Sequence, residues 1–205
     1  MVEYHLAVPF PLLYALTIAQ TTDLTFVRHG ETIANATGVY NSHTIDTFSK
    51  KGQAQVDRLT KDLLVEQPYD VILVSPSPRA LHTIAPYLKA KGVKATVWPL
   101  LYECCTMKRP ANAHATSFKY GLNIAVPTAI VDQFTIRTTE KAYPAPKDFN
   151  EGLAQVTASV AEFKKRYAGK RILIVGHSAH GGQFLKALTG KSIQLRNASP
   201  VKVKV

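Results

Sequence analysis

Short, nearly continuous apolar runs alternate along this chain with longer stretches whose apolar residues recur every three or four positions. Residues 24–27, 71–74, 95–98 and 171–175 are runs of the first kind, rich in Val, Ile, Leu and Phe, as expected of buried sheet strands. The second kind predicts helices. Val56, Leu59 and Leu63 share one face behind Ser49, a suitable cap. A helix from Pro78 to about Lys91 comes next, with Pro86 as its point of strain. Leu153, Val156, Val160, Phe163 and Tyr167 mark the clearest helix, which Asn150 would cap and Gly169 would end. A last helix carries Phe184, Leu185 and Leu188. Val201, Val203 and Val205 then alternate with Lys202 and Lys204, the pattern of a half-buried strand at a sheet edge. The predicted fold is α/β: a three-layer sandwich with a mostly parallel sheet and helices on both faces.

Two segments break this rhythm. Residues 104–149 are rich in Pro, Ala, Thr and Lys and read as an insertion over the sheet within a single domain spanning 23–205. Residues 1–22 stand apart as an N-terminal extension or signal segment. Their apolar stretch at 6–19 has the length of a signal-peptide core, but Pro9 and Pro11 interrupt it and the residues before it carry Glu3 and no Lys or Arg. Export is the favoured expectation, with a cytoplasmic protein bearing a surface extension or an early start codon as the alternative. No integral membrane span is expected.

Composition changes the picture in two respects. The formal net charge of +11 biases the surface toward anionic partners. The lysines are scattered, without the interleaved aromatics that grip single strands, so no specific nucleic-acid partner is expected. The two cysteines, Cys104 and Cys105, are adjacent, which provides neither a disulfide framework nor a thiolate metal site. They are expected to be small packing residues, with sensitivity to oxidation as the other reading.

The candidate chemistry lies where the strands end, since open α/β sheets bind ligands beyond the carboxyl ends of their strands. The first strand runs into Arg28-His29-Gly30-Glu31-Thr32, and the second leads to Arg79. The third leads to Glu103, and the fourth into Gly176-His177-Ser178. Two arginines, two histidines and a carboxylate on one edge suit phosphoryl transfer without a metal or other cofactor. Arginine forks bind the phosphoryl oxygens, and a neutral imidazole can attack phosphorus. Arg28 and Arg79 disfavour imidazolium and so help keep His29 neutral. Glu103 can protonate the leaving oxygen. His177 and His180 have a spacing compatible with metal ligands, but no carboxylate cluster accompanies them, and no metal is expected.

The strand-end motifs together resemble the signatures of the histidine phosphatase (phosphoglycerate mutase-like) superfamily. Residues 26–32 (FVRHGET), with Asn35, Asp46 and Gly52-Gln53-Ala54 after them, resemble its first block. Residues 75–83, 101–103 and 175–177 resemble its later ones. The resemblance implies that His29 is a phosphorylated nucleophile and that Arg28, Arg79 and His177 bind the phosphoryl oxygens. It further implies that Glu103 is the proton donor and that Asn35 and Ser42 contact substrate. Ser178, also a candidate substrate contact, stands where acid phosphatases of the superfamily carry a His-Asp pair, which points to the branch that uses the glutamate.

A phosphomonoester hydrolase is the expected function, acting on a phosphorylated small molecule or other anionic substrate. A mutase-type phosphotransferase is the alternative, disfavoured because the residues after Glu103 do not match that group. A non-catalytic phospholigand-binding module is the alternative of another class. Lys108 and Arg109, in a stretch free of Asp and Glu that also holds His114 and Lys119, suggest a positive roof for a multiply phosphorylated substrate.

Overall fold

The computed structural model describes residues 21–117, 121–136 and 141–205. Strand β1 (Asp23–Arg28) leads into the short helix α1 (Ile33–Thr37) and then α2 (Lys50–Leu64). Strand β2 (Val71–Val74), helix α3 (Pro78–Lys91) and strand β3 (Ala95–Val97) come next. After the insertion stand α4 (Phe149–Tyr167), β5 (Arg171–Gly176), α5 (Ser178–Thr189) and β6 (Pro200–Lys204). Within the insertion, β4 (Phe134–Thr135) joins the sheet, whose order is β4-β3-β2-β5-β1-β6. All neighbours are parallel except β6, which runs antiparallel to β1 at the edge, as the alternating tail predicted.

Strand periodicity divides the core into two layers. Phe26, Leu73, Ile172 and Ile174 face Phe163 and Tyr167 of α4 and Phe184 and Leu185 of α5. Their neighbours Val27, Val74, Leu173 and Val175 face Leu59 and Leu63 of α2 and Leu81, Ile84 and Leu88 of α3. The three central strands are thus apolar on both faces, which is why their sequences read as continuous runs rather than alternating ones.

Local chemistry fixes the helix ends. Ser49 caps α2 by accepting the N–H of Gly52, at 2.9 Å. A side chain at Gly52 would place its Cβ 1.8 Å from the carbonyl oxygen of Glu31, so only glycine lets α2 pack against the loop that leaves β1. Helix α3 passes through Pro86 without ending, because its apolar face stays buried to Leu88 and outweighs the roughly 3 kcal/mol cost of an internal proline.

The cap of α4 differs from expectation. Asp148, not Asn150, is the N-cap, its carboxylate accepting the N–H of Glu151 at 2.8 Å. Asn150 lies inside the first turn and accepts the N–H of His114 instead. Strand β4 is a second departure: two residues are too few to show a period, so the insertion adds a sheet edge that its sequence does not announce.

Candidate active site

The carboxyl ends of β1, β2 and β5, with the segment after β3, converge on a cavity of about 460 Å³. Arg28, His29, Thr32, Asn35, Arg79, Glu103 and Ser178 all line it. The backbone that carries His29 is held on several sides. Its N–H donates to the carbonyl of Gly176 at 2.9 Å, and its carbonyl accepts from Asn197 Nδ2 at 2.9 Å. The N–H of the next residue, Gly30, donates to Thr83 Oγ1 at 2.9 Å.

The imidazole of His29 is 4% exposed, and its Nδ1 lies 2.8 Å from the Gly30 carbonyl. A carbonyl can only accept, so Nδ1 carries the proton and Nε2 keeps its lone pair. Burial, then the charge of Arg79 and that of Arg28, lower its pKa from 6.5 to about 3; the Gly30 carbonyl pulls the other way. His29 is therefore a neutral imidazole with a free Nε2 across the physiological pH range.

His177 is fully buried at the end of β5, its ring edge-on to His29 with centroids 5.4 Å apart. Burial, reinforced by the charge of Arg79, holds its pKa well below the ordinary imidazole value. Its Nε2 is 2.7 Å from Ser75 Oγ, while Nδ1 has no hydrogen-bond partner among the described residues. The two arginines are fixed differently. Arg79 donates to Asp46 at 3.0 Å, whereas Arg28 reaches the Leu195 carbonyl at 3.4 Å and leaves its buried Nε without a partner among the described residues. Two polar atoms of this site, Arg28 Nε and His177 Nδ1, are thus buried without a partner among the described residues, a costly arrangement that an anion at Arg28 Nε would relieve.

Glu103 sits at the N-terminus of α5. Its Oε1 accepts the N–H of His180 at 2.9 Å and that of Cys104 at 3.2 Å. Burial raises its pKa above the usual carboxylate value, opposed by the His180 N–H and by Arg79. A carboxyl group biased toward its acid form thus stands beside a histidine held neutral, the division of roles that general acid and nucleophile require.

Not every sequence candidate lies in the cavity. Arg28, His29, Asn35, Arg79, Glu103 and Ser178 line it, and His177 backs it. Ser42 is exposed on a turn organised by the Asn41 side chain and is not among the lining residues. Lys108 and Arg109 are likewise exposed and outside the lining; the Arg109 guanidinium lies over the Phe149 ring, 5.9 Å from its centroid. His114 is exposed too, and Lys119 lies outside the described residues. His180 is a core residue, stacked on Phe184 with Nε2 3.3 Å from Ser159 Oγ. Cys104 and Cys105 are buried free thiols packed with Phe149 and Val156, and Cys104 also lines the cavity.

Several residues shape the site in roles that the sequence does not reveal, and nothing in it singles out Asn197. Ser75 orients His177, Asp46 orients Arg79, and Asn197 clamps the His29 carbonyl. Thr32 and Asn35 form a reciprocal capping pair at the start of α1, which the Thr-x-x-Asn spacing could have suggested. Tyr40 and Met107 line the cavity, and no local pattern marks them; Tyr102, which falls within the 101–103 motif, lines it too.

The model of the histidine phosphatase superfamily, branch 1, matches residues 24–203. Adenosylcobalamin/alpha-ribazole phosphatase of Salmonella typhimurium is 39% identical over 80 residues, 39% of each chain. The chain thus spans about two fifths of the length of that curated relative. Among solved structures, phosphoserine phosphatase of Entamoeba histolytica superposes with a TM-score of 0.53 at 18% identity, covering 88% of this chain and 89% of the other. A mycobacterial glucosyl-3-phosphoglycerate phosphatase gives the same TM-score and identity, covering 88% and 90%. These likenesses establish the shared fold. The chain belongs to the histidine phosphatase superfamily.

Proposed function

We propose that this member of the histidine phosphatase superfamily hydrolyses phosphomonoesters through a phosphohistidine at His29 Nε2, with Glu103 as proton donor. The observation that carries the reading is the pairing of a buried, neutral His29, its Nδ1 proton held by the Gly30 carbonyl, with a carboxyl group biased toward its acid form in the same cavity.

The donors define where the phosphoryl group sits. Arg28 and Arg79 offer charged N–H groups to its oxygens, and His177, edge-on to His29, completes the set through its Nδ1, which has no partner among the described residues. The Asn35 amide also faces the cavity, its Oδ1 engaged by the Thr32 N–H. These donors are strongest where charge accumulates in the transition state.

The first half-reaction forms a bond between His29 Nε2 and phosphorus as the ester P–O bond breaks. The alkoxide leaving with the bonding pair takes the proton of Glu103 and departs as the alcohol. In the second half, ionised Glu103 removes a proton from a water molecule, whose oxygen attacks phosphorus. The P–N bond breaks, its electron pair returns to Nε2, and inorganic phosphate leaves with both groups reset.

The test is hydrolysis of an aryl phosphate in the presence of a chelator by the wild type and by His29→Ala. Turnover that survives chelation and disappears in the variant, together with an acid-labile, base-stable phosphoryl adduct in rapidly quenched wild type, is the expected result. Equal turnover by the two proteins would exclude His29 as nucleophile.

A further inference from the structure

We infer that the site selects a phosphomonoester whose alcohol carries an aromatic or other flat apolar group, with Tyr40, Tyr102 and Met107 as the residues that select it. This rests on the phosphatase reading above and adds the class of leaving alcohol.

The lining of the cavity divides by chemistry. Beside the phosphoryl-binding groups stand Tyr40, Ile45, Tyr102, Met107, Ala145 and Pro146. Its volume of about 460 Å³ lies in the range that encloses a whole small molecule, so a phosphoryl group bound at Arg28 and Arg79 leaves room for the alcohol against these side chains. Tyr40 is 65% exposed on the loop after α1 and lines the same cavity as Arg28. An aromatic side chain left open to water at the rim of a charged site is suited to stacking on a ligand. Tyr102 and Met107 flank the Glu103 segment, half-buried, where the departing alcohol must lie if Glu103 protonates it. A thioether packs well against ring edges.

Charge argues in the same direction. Among the described residues, Arg28 and Arg79 are the only Lys or Arg that line the cavity, and Asp46 already takes one hydrogen bond of Arg79. A single phosphate occupies both arginines. A second phosphate on the same substrate would enter beside Glu103 with no further cation among the described lining residues to meet it, at the cost of desolvating a dianion. Lys108 and Arg109, the residues best placed in sequence to receive it, lie outside the lining. The net charge of +11 is therefore not evidence for a polyanionic substrate.

The experiment compares kcat/KM for 2-phenylethyl phosphate, ethyl phosphate and 1,4-butanediol bisphosphate, all esters of primary alcohols. Because the ring is two carbons from the ester oxygen, leaving-group acidity stays nearly constant and the comparison reads binding of the alcohol. The phenylethyl ester is expected to exceed the ethyl ester by about tenfold or more, as burial of several extra carbons in an apolar site gives. In Tyr102→Ala, and in Met107→Ser as an independent variant, the ratio of the two values should fall about threefold to tenfold, the worth of one aromatic or thioether contact. A ratio does not depend on the fraction of enzyme that is folded. Equal values for the phenylethyl and ethyl esters, a preference for the bisphosphate, or an unchanged ratio in both variants overturns the inference while leaving the phosphatase reading intact. Failure to hydrolyse any of the esters refutes the phosphatase reading, and the inference with it.

Discussion

Lowering the pH from 7 to 5 should destabilise this protein steeply, and His180 isolates the reason. Its ring is fully buried between Phe184 and Ser159, and burial lowers its pKa from 6.5 to about 3, with the Leu100 carbonyl acting in the opposite sense. Between those two values the unfolded chain binds a proton that the folded chain does not. Stability contributed by the neutral ring is therefore complete above pH 6.5 and is lost as the pH falls toward 3. At about 1.4 kcal/mol per pH unit, the descent from 6.5 to 5 costs about 2 kcal/mol for this one group. His29, lowered to the same value, adds about as much, and His177 acts in the same direction. Glu103, whose folded pKa is raised, opposes them as the pH drops. The assay is urea unfolding at pH 7, 6 and 5, monitored through Trp98, the only tryptophan, which is 2% exposed. Wild type and His180→Gln are compared, the glutamine being polar but unable to titrate. The variant should lose about 2 kcal/mol less than the wild type over this range, with unchanged m-values. Parallel pH profiles for the two proteins would refute the account of His180 as a buried neutral ring.

Turnover offers two further checks. Once the substrate's own second phosphate ionisation, at about pH 6, is divided out, kcat/KM should not fall through pH 6.5 as an ordinary imidazole would require. Its acid limb belongs near 3, set by His29, and its alkaline limb above the usual carboxylate range, set by Glu103. A midpoint near 6.5 on the acid side would contradict the burial argument. Ser75→Ala removes the hydroxyl 2.7 Å from His177 Nε2 and should lower kcat by about tenfold to a hundredfold, the effect of losing a buried orienting hydrogen bond. Recovery in Ser75→Thr is expected, and steady-state kinetics that match wild type in Ser75→Ala would deny Ser75 this role.

How much of this could be foreseen from the chain is clearest at particular residues. Strand and helix periods are local properties, so residues 24–27, 71–74 and 171–175 announced their strands, and Ser49 announced the start of α2. The site was legible for a related reason: in a parallel sheet, the residues just after each strand all emerge at the same edge. Arg28, His29, Arg79, Glu103 and His177 could therefore be brought together from their order alone. The resemblance to a known family then supplied their expected roles.

Tertiary structure decided what no local pattern carries. Asn197 clamps the carbonyl of His29 across 168 residues, and Ser75 reaches His177 across 102. Partners so far apart are selected by chain crossings and not by spacing. The insertion is the extreme case. Its composition suggested a basic roof through Lys108 and Arg109, but packing put both outside the cavity lining and left Met107, with Tyr102 just ahead of the insertion, to face it. The neutrality of His29 was likewise foreseeable only in part. Neighbouring arginines could be read from the chain, yet burial is the larger cause of its lowered pKa, and burial depends on every layer packed around the ring.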